Sequence, residues 1–244
     1  MTAPAIETNG LTRRYGALTA VDHLNIRVEK GELFALLGVN GAGKTTTIRM
    51  LCCLTKPTEG DATLSGASIV REPMHVKEKI GVSPQETAVA ANLTAEENLR
   101  LMCGMHGLSR AETDEKVRAL SERFHLNEVL SRRAGKLSGG WQRRLSIAMA
   151  LVSDPEILFL DEPTLGLDVI ARSELWDVIR GMKGHATIIL TTHYMEEAEA
   201  LSDRVGVMKD GRLLALGTPG ALKAQTGQEK FEDAFIAIVR RASK

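Results

Sequence analysis

Nowhere in these 244 residues do about eighteen apolar side chains run together, the length a membrane-crossing helix needs. Met1 to Gly10 likewise lacks a basic segment followed by an apolar one. The expectation is a cytosolic chain that spans no bilayer. Cysteine is scarce, and Cys52, Cys53 and Cys103 form an odd set without paired metal-ligand spacing. That excludes a disulfide framework and leaves buried free thiols as the expected state. Net charge is also missing, because 31 Lys and Arg offset 31 Asp and Glu, so no overall field would hold the chain on nucleic acid or on an anionic membrane. No internal repeat or low-complexity segment appears. With 43% hydrophobic and 25% charged residues, the chain can bury a core over most of its length.

The patterning predicts an α/β fold. Glu32 to Leu37 is a short continuous apolar run ended by Gly38, as in a strand buried on both faces. A helical pattern from Lys44 to Leu54 follows. Two more such strands, Ile157 to Leu160 and Thr187 to Leu190, are trailed by helical patterns from about Val169 to Met182 and from Tyr194 to Leu201. Strands alternating with helices imply a mostly parallel sheet covered on both faces. Ile6 to Val28 and Asp61 to Ile69 read instead as short antiparallel strands of a side sheet. Between about residues 88 and 152 the strand signal disappears, and helices are expected at Thr94 to His106, Arg110 to Phe124 and Gly139 to Val152. The first two carry capping boxes, Thr94 with Glu97 and Ser109 with Glu112. This stretch reads as a helical sub-domain inserted into the core, giving one domain over residues 1–225 and a tail over 226–244 with an amphipathic helix through Phe231, Phe235, Ile238 and Val239.

Gly38, Val39, Asn40, Gly41, Ala42, Gly43, Lys44 and Thr45 fit the phosphate-binding loop pattern and stand between a buried strand and a helix, the setting that pattern requires. Glycines let backbone amides and the helix N-terminus close on phosphate oxygens. Lys44 would reach the β- and γ-phosphates, and the Thr45 hydroxyl would face Mg²⁺. Asp161 and Glu162 end the second buried strand, and in a parallel sheet that end faces the ligand crevice. One carboxylate suits Mg²⁺ and the other suits activation of water, so Asp161 takes the first role and Glu162 the second. His193 ends the third strand after Thr191 and Thr192; alone it reads as readily as a structural histidine. Leu137, Ser138, Gly139, Gly140, Trp141 and Gln142 stand directly ahead of a helix, a second anion-binding helix start or, taken alone, an ordinary N-cap with a flexible approach. Because this turn lies on the inserted segment, two chains placed head to tail would let each supply Ser138 to the other's γ-phosphate.

Together these residues resemble the ATP-binding cassette family from about residue 5 to 217, in the family's order. The resemblance implies a phosphate-loop NTPase core and a sandwich dimer with two ATP molecules. Gln85 stands in the position of the family's Q-loop, where it senses Mg²⁺ and attacking water. Leu165, Gly166, Leu167 and Asp168 look like its D-loop, and His193 like its switch histidine. Tyr15 stands where the family stacks an aromatic on adenine, and Thr46 completes the nucleotide-binding set. Trp141 replaces the more usual glutamine after Ser-Gly-Gly, and Val169 a common proline after Asp168. The implied partners are an integral membrane permease and a second copy or a paralogous ATPase, with no nucleic acid, at the inner face of the cell membrane. Asn92 to Leu99, His193 to Glu199 and Phe231 to Phe235 resemble drug-resistance and lipo-oligosaccharide exporters of the ABC-2 type, and the tail is shorter than the regulatory domain of many sugar importers. The rival readings are an importer's ATPase, a cassette that binds without hydrolysing, a soluble cassette protein of repair or translation, and a small-molecule kinase, which leaves Leu137 to Gln142 unexplained.

Overall fold

A computed structural model describes residues 3–241. In chain order the elements are β1 (Ile6–Tyr15), β2 (Leu18–Leu24), β3 (Arg27–Val28), β4 (Leu33–Leu37), α1 (Lys44–Leu51), β5 (Glu59–Leu64), β6 (Ala67–Ser68), α2 (Pro73–Lys79) and β7 (Ile80–Ser83). Then come α3 (Ala95–Met105), α4 (Arg110–Arg123), α5 (Gly139–Ala150), β8 (Ile157–Asp161), α6 (Val169–Arg180), β9 (Thr187–Thr192) and α7 (Met195–Leu201). The chain closes with β10 (Arg204–Lys209), β11 (Arg212–Gly217), α8 (Pro219–Thr226) and α9 (Phe231–Arg241).

The central sheet runs β11-β10-β4-β9-β8-β7, parallel except for β11. β4, β8 and β9 are buried at every position, which is why they read as unbroken apolar runs rather than as alternation. β1, β2, β3, β5 and β6 pair antiparallel in a separate sheet. Between the two sheets Ile6, Leu11 and Val28 pack with Phe34, Met50 and Phe159. The helical insertion has no core of its own: Leu99, Phe124 and Leu145 share one cluster with Leu158 and Leu190 of the sheet, so α5 is a wall of both. The capping boxes at Thr94–Glu97 and Ser109–Glu112 are formed.

Several elements depart from the expected ones. α1 stops at Leu51 because Cys53 adopts a left-handed φ of 56°, so Cys53 is half-buried while Cys52 and Cys103 are buried. The β10–β11 hairpin turns on Asp210 and Gly211, both with φ near the left-handed region at 48° and 78°, a signal for a primed turn that stands in the sequence. β7, four residues long, lies at the sheet edge beside β8. α9 lays Phe231, Phe235 and Ile238 over Leu37, Val205 and Val207. Phe231 is 2% exposed, so Phe231→Ala should destabilise the fold by about 3–5 kcal/mol through lost burial and a residual cavity. Chemical denaturation should show this as a lower midpoint with unchanged slope.

Candidate functional site

β4 ends at Leu37, and the chain turns back at once into α1, which forces close backbone contacts. A Cβ at Gly38 would meet the Met208 carbonyl oxygen at 2.5 Å, and one at Gly43 (φ +99°) would meet the Ala20 carbonyl oxygen at 2.4 Å. Only glycine fits either place. The amides heading α1 have no acceptor within the helix and crown a cleft of about 570 Å³ lined by Tyr15, Asn40 to Thr46, Gln85, Leu165, Glu162 and His193. Lys44 lies under this loop, donating to the Gly38 carbonyl at 2.7 Å and pairing with Glu162 Oε1 at 3.2 Å.

The other wall comes from strand ends. Asp161 accepts a hydrogen bond from the Thr191 hydroxyl, and the Thr45 hydroxyl lies 3.4 Å from Asp161 Oδ1. Glu162 follows with φ +49°, a conformation that costs a non-glycine residue on the order of 1 kcal/mol or more. Its amide is fastened to Thr191 through the carbonyl and hydroxyl oxygens, both at 3.1 Å. That turn aims the carboxylate across the cleft, where Oε2 meets His193 Nδ1 at 2.5 Å. A cation on one oxygen and an imidazole on the other hold Glu162 in one orientation.

Gln85 is exposed at the cleft rim, and its backbone carbonyl is fixed by the buried Arg143, whose guanidinium also binds the Pro84 carbonyl at 2.6 Å. Burial holds the Arg143 pKa below the usual arginine value. Sequence reasoning passed over Arg143, whose only signal was a basic residue on the buried face of α5. Tyr15 is 44% exposed with the Arg13 guanidinium 4.4 Å above its ring, which leaves ring surface facing the cleft. Tyr15→Ala should raise the KM for ATP about tenfold with little change in kcat, whereas Tyr15→Trp should retain the native KM. Steady-state phosphate release checks this; equal losses in both variants would make the ring structural.

Ser138, Gly139, Gly140, Gln142 and Asp168 do not line this cleft. Ser138 caps α5 by backbone conformation alone, with no side-chain cap bond, and is exposed. Ser138 thus holds the N-cap position that the N-cap reading expects, but its hydroxyl makes no cap bond there. Gly139 and Gly140 face Leu167 and Ala171, so the turn packs on the chain's own Leu165–Asp168 loop. Asp168 caps α6 by accepting from the Ile170 and Ala171 amides at 2.9 Å. The Gln142 side-chain amide donates to the Ala134 and Leu137 carbonyls at 3.2 and 3.1 Å, which holds the turn from within.

A phosphate loop on a mostly parallel sheet, with paired acids at a nearby strand end and a histidine across from them, defines the P-loop nucleotide-binding fold class. The family model described as "ABC transporter" matches residues 21–165, and the chain belongs to that family. It is 41% identical over 241 residues to YbhF of Escherichia coli K12, named as a probable multidrug ABC transporter ATP-binding protein, covering 96% of this chain and 41% of YbhF. It is 43% identical over 224 residues to the daunorubicin/doxorubicin resistance ATP-binding protein DrrA of Streptomyces peucetius, covering 91% of this chain and 68% of DrrA. A solved structure titled as the ATP binding subunit of an ABC transporter superposes with a TM-score of 0.85 at 30% identity, covering 96% of this chain and 99% of that one. The chain thus spans less than half the length of YbhF.

Proposed function

We propose that the chain hydrolyses ATP with Mg²⁺ as a head-to-tail pair and powers export through a separate membrane permease. The observation that carries this reading is the split between the two phosphate-binding features: the cleft at Lys44 and Glu162 is lined without Ser138, while Ser138 presents an unengaged hydroxyl at another surface. Leu165, Val169 and Ile170 are exposed beside that turn, the last two at 77% and 72%. Apolar side chains grouped around a polar anion-binding turn suit a protein interface.

In the hydrolytic cycle Tyr15 stacks on the base, and the amides of Gly38 to Thr46 with Lys44 hold the phosphates. Glu162 accepts the proton of the attacking water, and His193, in contact with that carboxylate, reaches toward the γ-phosphate. The Thr45 hydroxyl, which lines the cleft, lies 3.4 Å from the buried Asp161 carboxylate behind it, and Gln85 lies at the rim. Thr45 and Asp161, with Gln85, are the residues that would hold Mg²⁺, a hard cation suited to a few oxygen donors, and the ion would supply charge neutralisation on the transferring group. Residues 1–225 form the cassette and 226–244 the tail in this reading.

Among the described residues no helix is long and apolar enough to cross a membrane, and this reading assigns the passage to a separate permease. YbhF and DrrA carry multidrug and drug-resistance names, which supports export as the direction; in this reading the chain works at the inner membrane face. Phosphate release by the purified chain tests hydrolysis. Co-purification from detergent-solubilised membranes tests the permease; recovery of the chain without any integral membrane companion would count against that part.

A further inference from the structure

Hydrolysis as derived above makes no use of Glu197, yet this carboxyl on α7 is fully buried at 0% exposure. Burial alone pushes its pKa above the usual carboxylate value, so its retention needs a reason. Trp176 Nε1 on α6 donates to Oε1 at 3.1 Å. The Thr192 and Thr164 hydroxyls border the same carboxyl, while Oε2 and Thr164 Oγ1 complete no hydrogen bond of good geometry.

Those threonines stand at informative places. Thr192 precedes His193, and its hydroxyl oxygen accepts the amide of Tyr194 at 2.9 Å, closing a short loop around the histidine. A hydroxyl that accepts there still has its one hydrogen to give, and the Glu197 carboxyl is the acceptor facing it. Thr164 lies two residues beyond Glu162. From α6, Arg172 stacks 4.7 Å over the Tyr194 ring, and Trp176 fixes the carboxyl itself. One buried group therefore sits where the segment carrying Glu162, the segment carrying His193 and the helix that starts at Asp168 come together.

We propose that Glu197 is a positioning residue for ATP hydrolysis, bracing the Thr192–Tyr194 and Thr164 segments so that His193 and Glu162 keep their contact. This inference rests on the hydrolysis reading. A displacement of 1 Å in a reacting group can cost about 10²-fold in rate, and the 2.5 Å contact between His193 and Glu162 depends on the relative placement of two loops that share no backbone hydrogen bond beyond Thr191.

A double-mutant cycle separates this role from simple support of the fold. In single-turnover phosphate release with the chain in excess over ATP, Glu197→Leu should lower the rate roughly 10- to 100-fold with ATP affinity within about twofold. In a His193→Ala background the same change should lower the rate less than about threefold, because the His193–Glu162 contact it maintains is already gone. Glu197→Gln, which keeps an acceptor for Trp176, should recover most of the native rate. Should Glu197→Leu fail to fold, Trp176→Phe carries the test: it removes only the N–H donor and should slow the native chain but not the His193→Ala chain. Equal losses in both backgrounds, or a native rate in folded Glu197→Leu and Trp176→Phe, overturns the inference while leaving hydrolysis intact. A native chain that releases no phosphate overturns the hydrolysis reading itself.

Discussion

Replacing Lys44 by Ala should lower kcat/KM for ATP roughly 10²- to 10³-fold, the loss typical of removing a preorganised electrostatic donor from a charged reacting group. The Lys44 ammonium is 5% exposed and sits between the Gly38 carbonyl and Glu162. Among the described residues no other lysine or arginine lines the cleft, so no permanent cation replaces it opposite the phosphates. The fold should survive, because Glu162 keeps its contact with His193 and lines the cleft rather than the closed core. Titration with a fluorescent ATP analogue alongside phosphate release checks both halves of this expectation, and native kinetics in the variant would remove residues 38–45 from the role of phosphate cradle.

Glu162→Gln should be at least as severe for turnover and almost silent for binding. The amide has the shape of the carboxylate and can still meet Lys44 and His193, but it accepts no proton from water at neutral pH, so hydrolysis should slow roughly 10²- to 10⁴-fold. Its backbone already bears the left-handed φ of +49°, which glutamine shares at equal cost. Tight ATP binding with lost turnover assigns the residue as the base; loss of both would mean that the charge mainly holds Lys44.

Much of this site was legible in the sequence because its parts lie at the ends of the most strongly patterned elements. β4, β8 and β9 are short continuous apolar runs, and each ends in residues that line the cleft or adjoin it. The rest depended on contacts between distant segments. Arg143 holds the carbonyls of Pro84 and Gln85 across more than fifty residues, and Glu197 meets Trp176 from a different helix; no local pattern announces either. Gln142 bonds the Ala134 and Leu137 carbonyls, a contact the helix-start motif does not announce, since chain direction alone does not set a side chain's rotamer. The β10–β11 hairpin had its Asp-Gly turn in plain view, but Arg204 to Lys209 mixes charges with apolar residues because this strand ends in a surface turn.

The claim that two chains share each phosphate site is tested most directly by light scattering of Glu162→Gln protein. With ATP it should run at twice the 26.5 kDa of one chain, because the unhydrolysed γ-phosphate stays held between one chain's Lys44 and the other's Ser138. With ADP it should run at 26.5 kDa, and adding Ser138→Arg should return the ATP-bound protein to that mass while each chain still binds ATP. A Glu162→Gln protein that saturates with ATP yet stays at the single-chain mass at high concentration, or a dimer that persists unchanged with Ser138→Arg, would contradict the shared site.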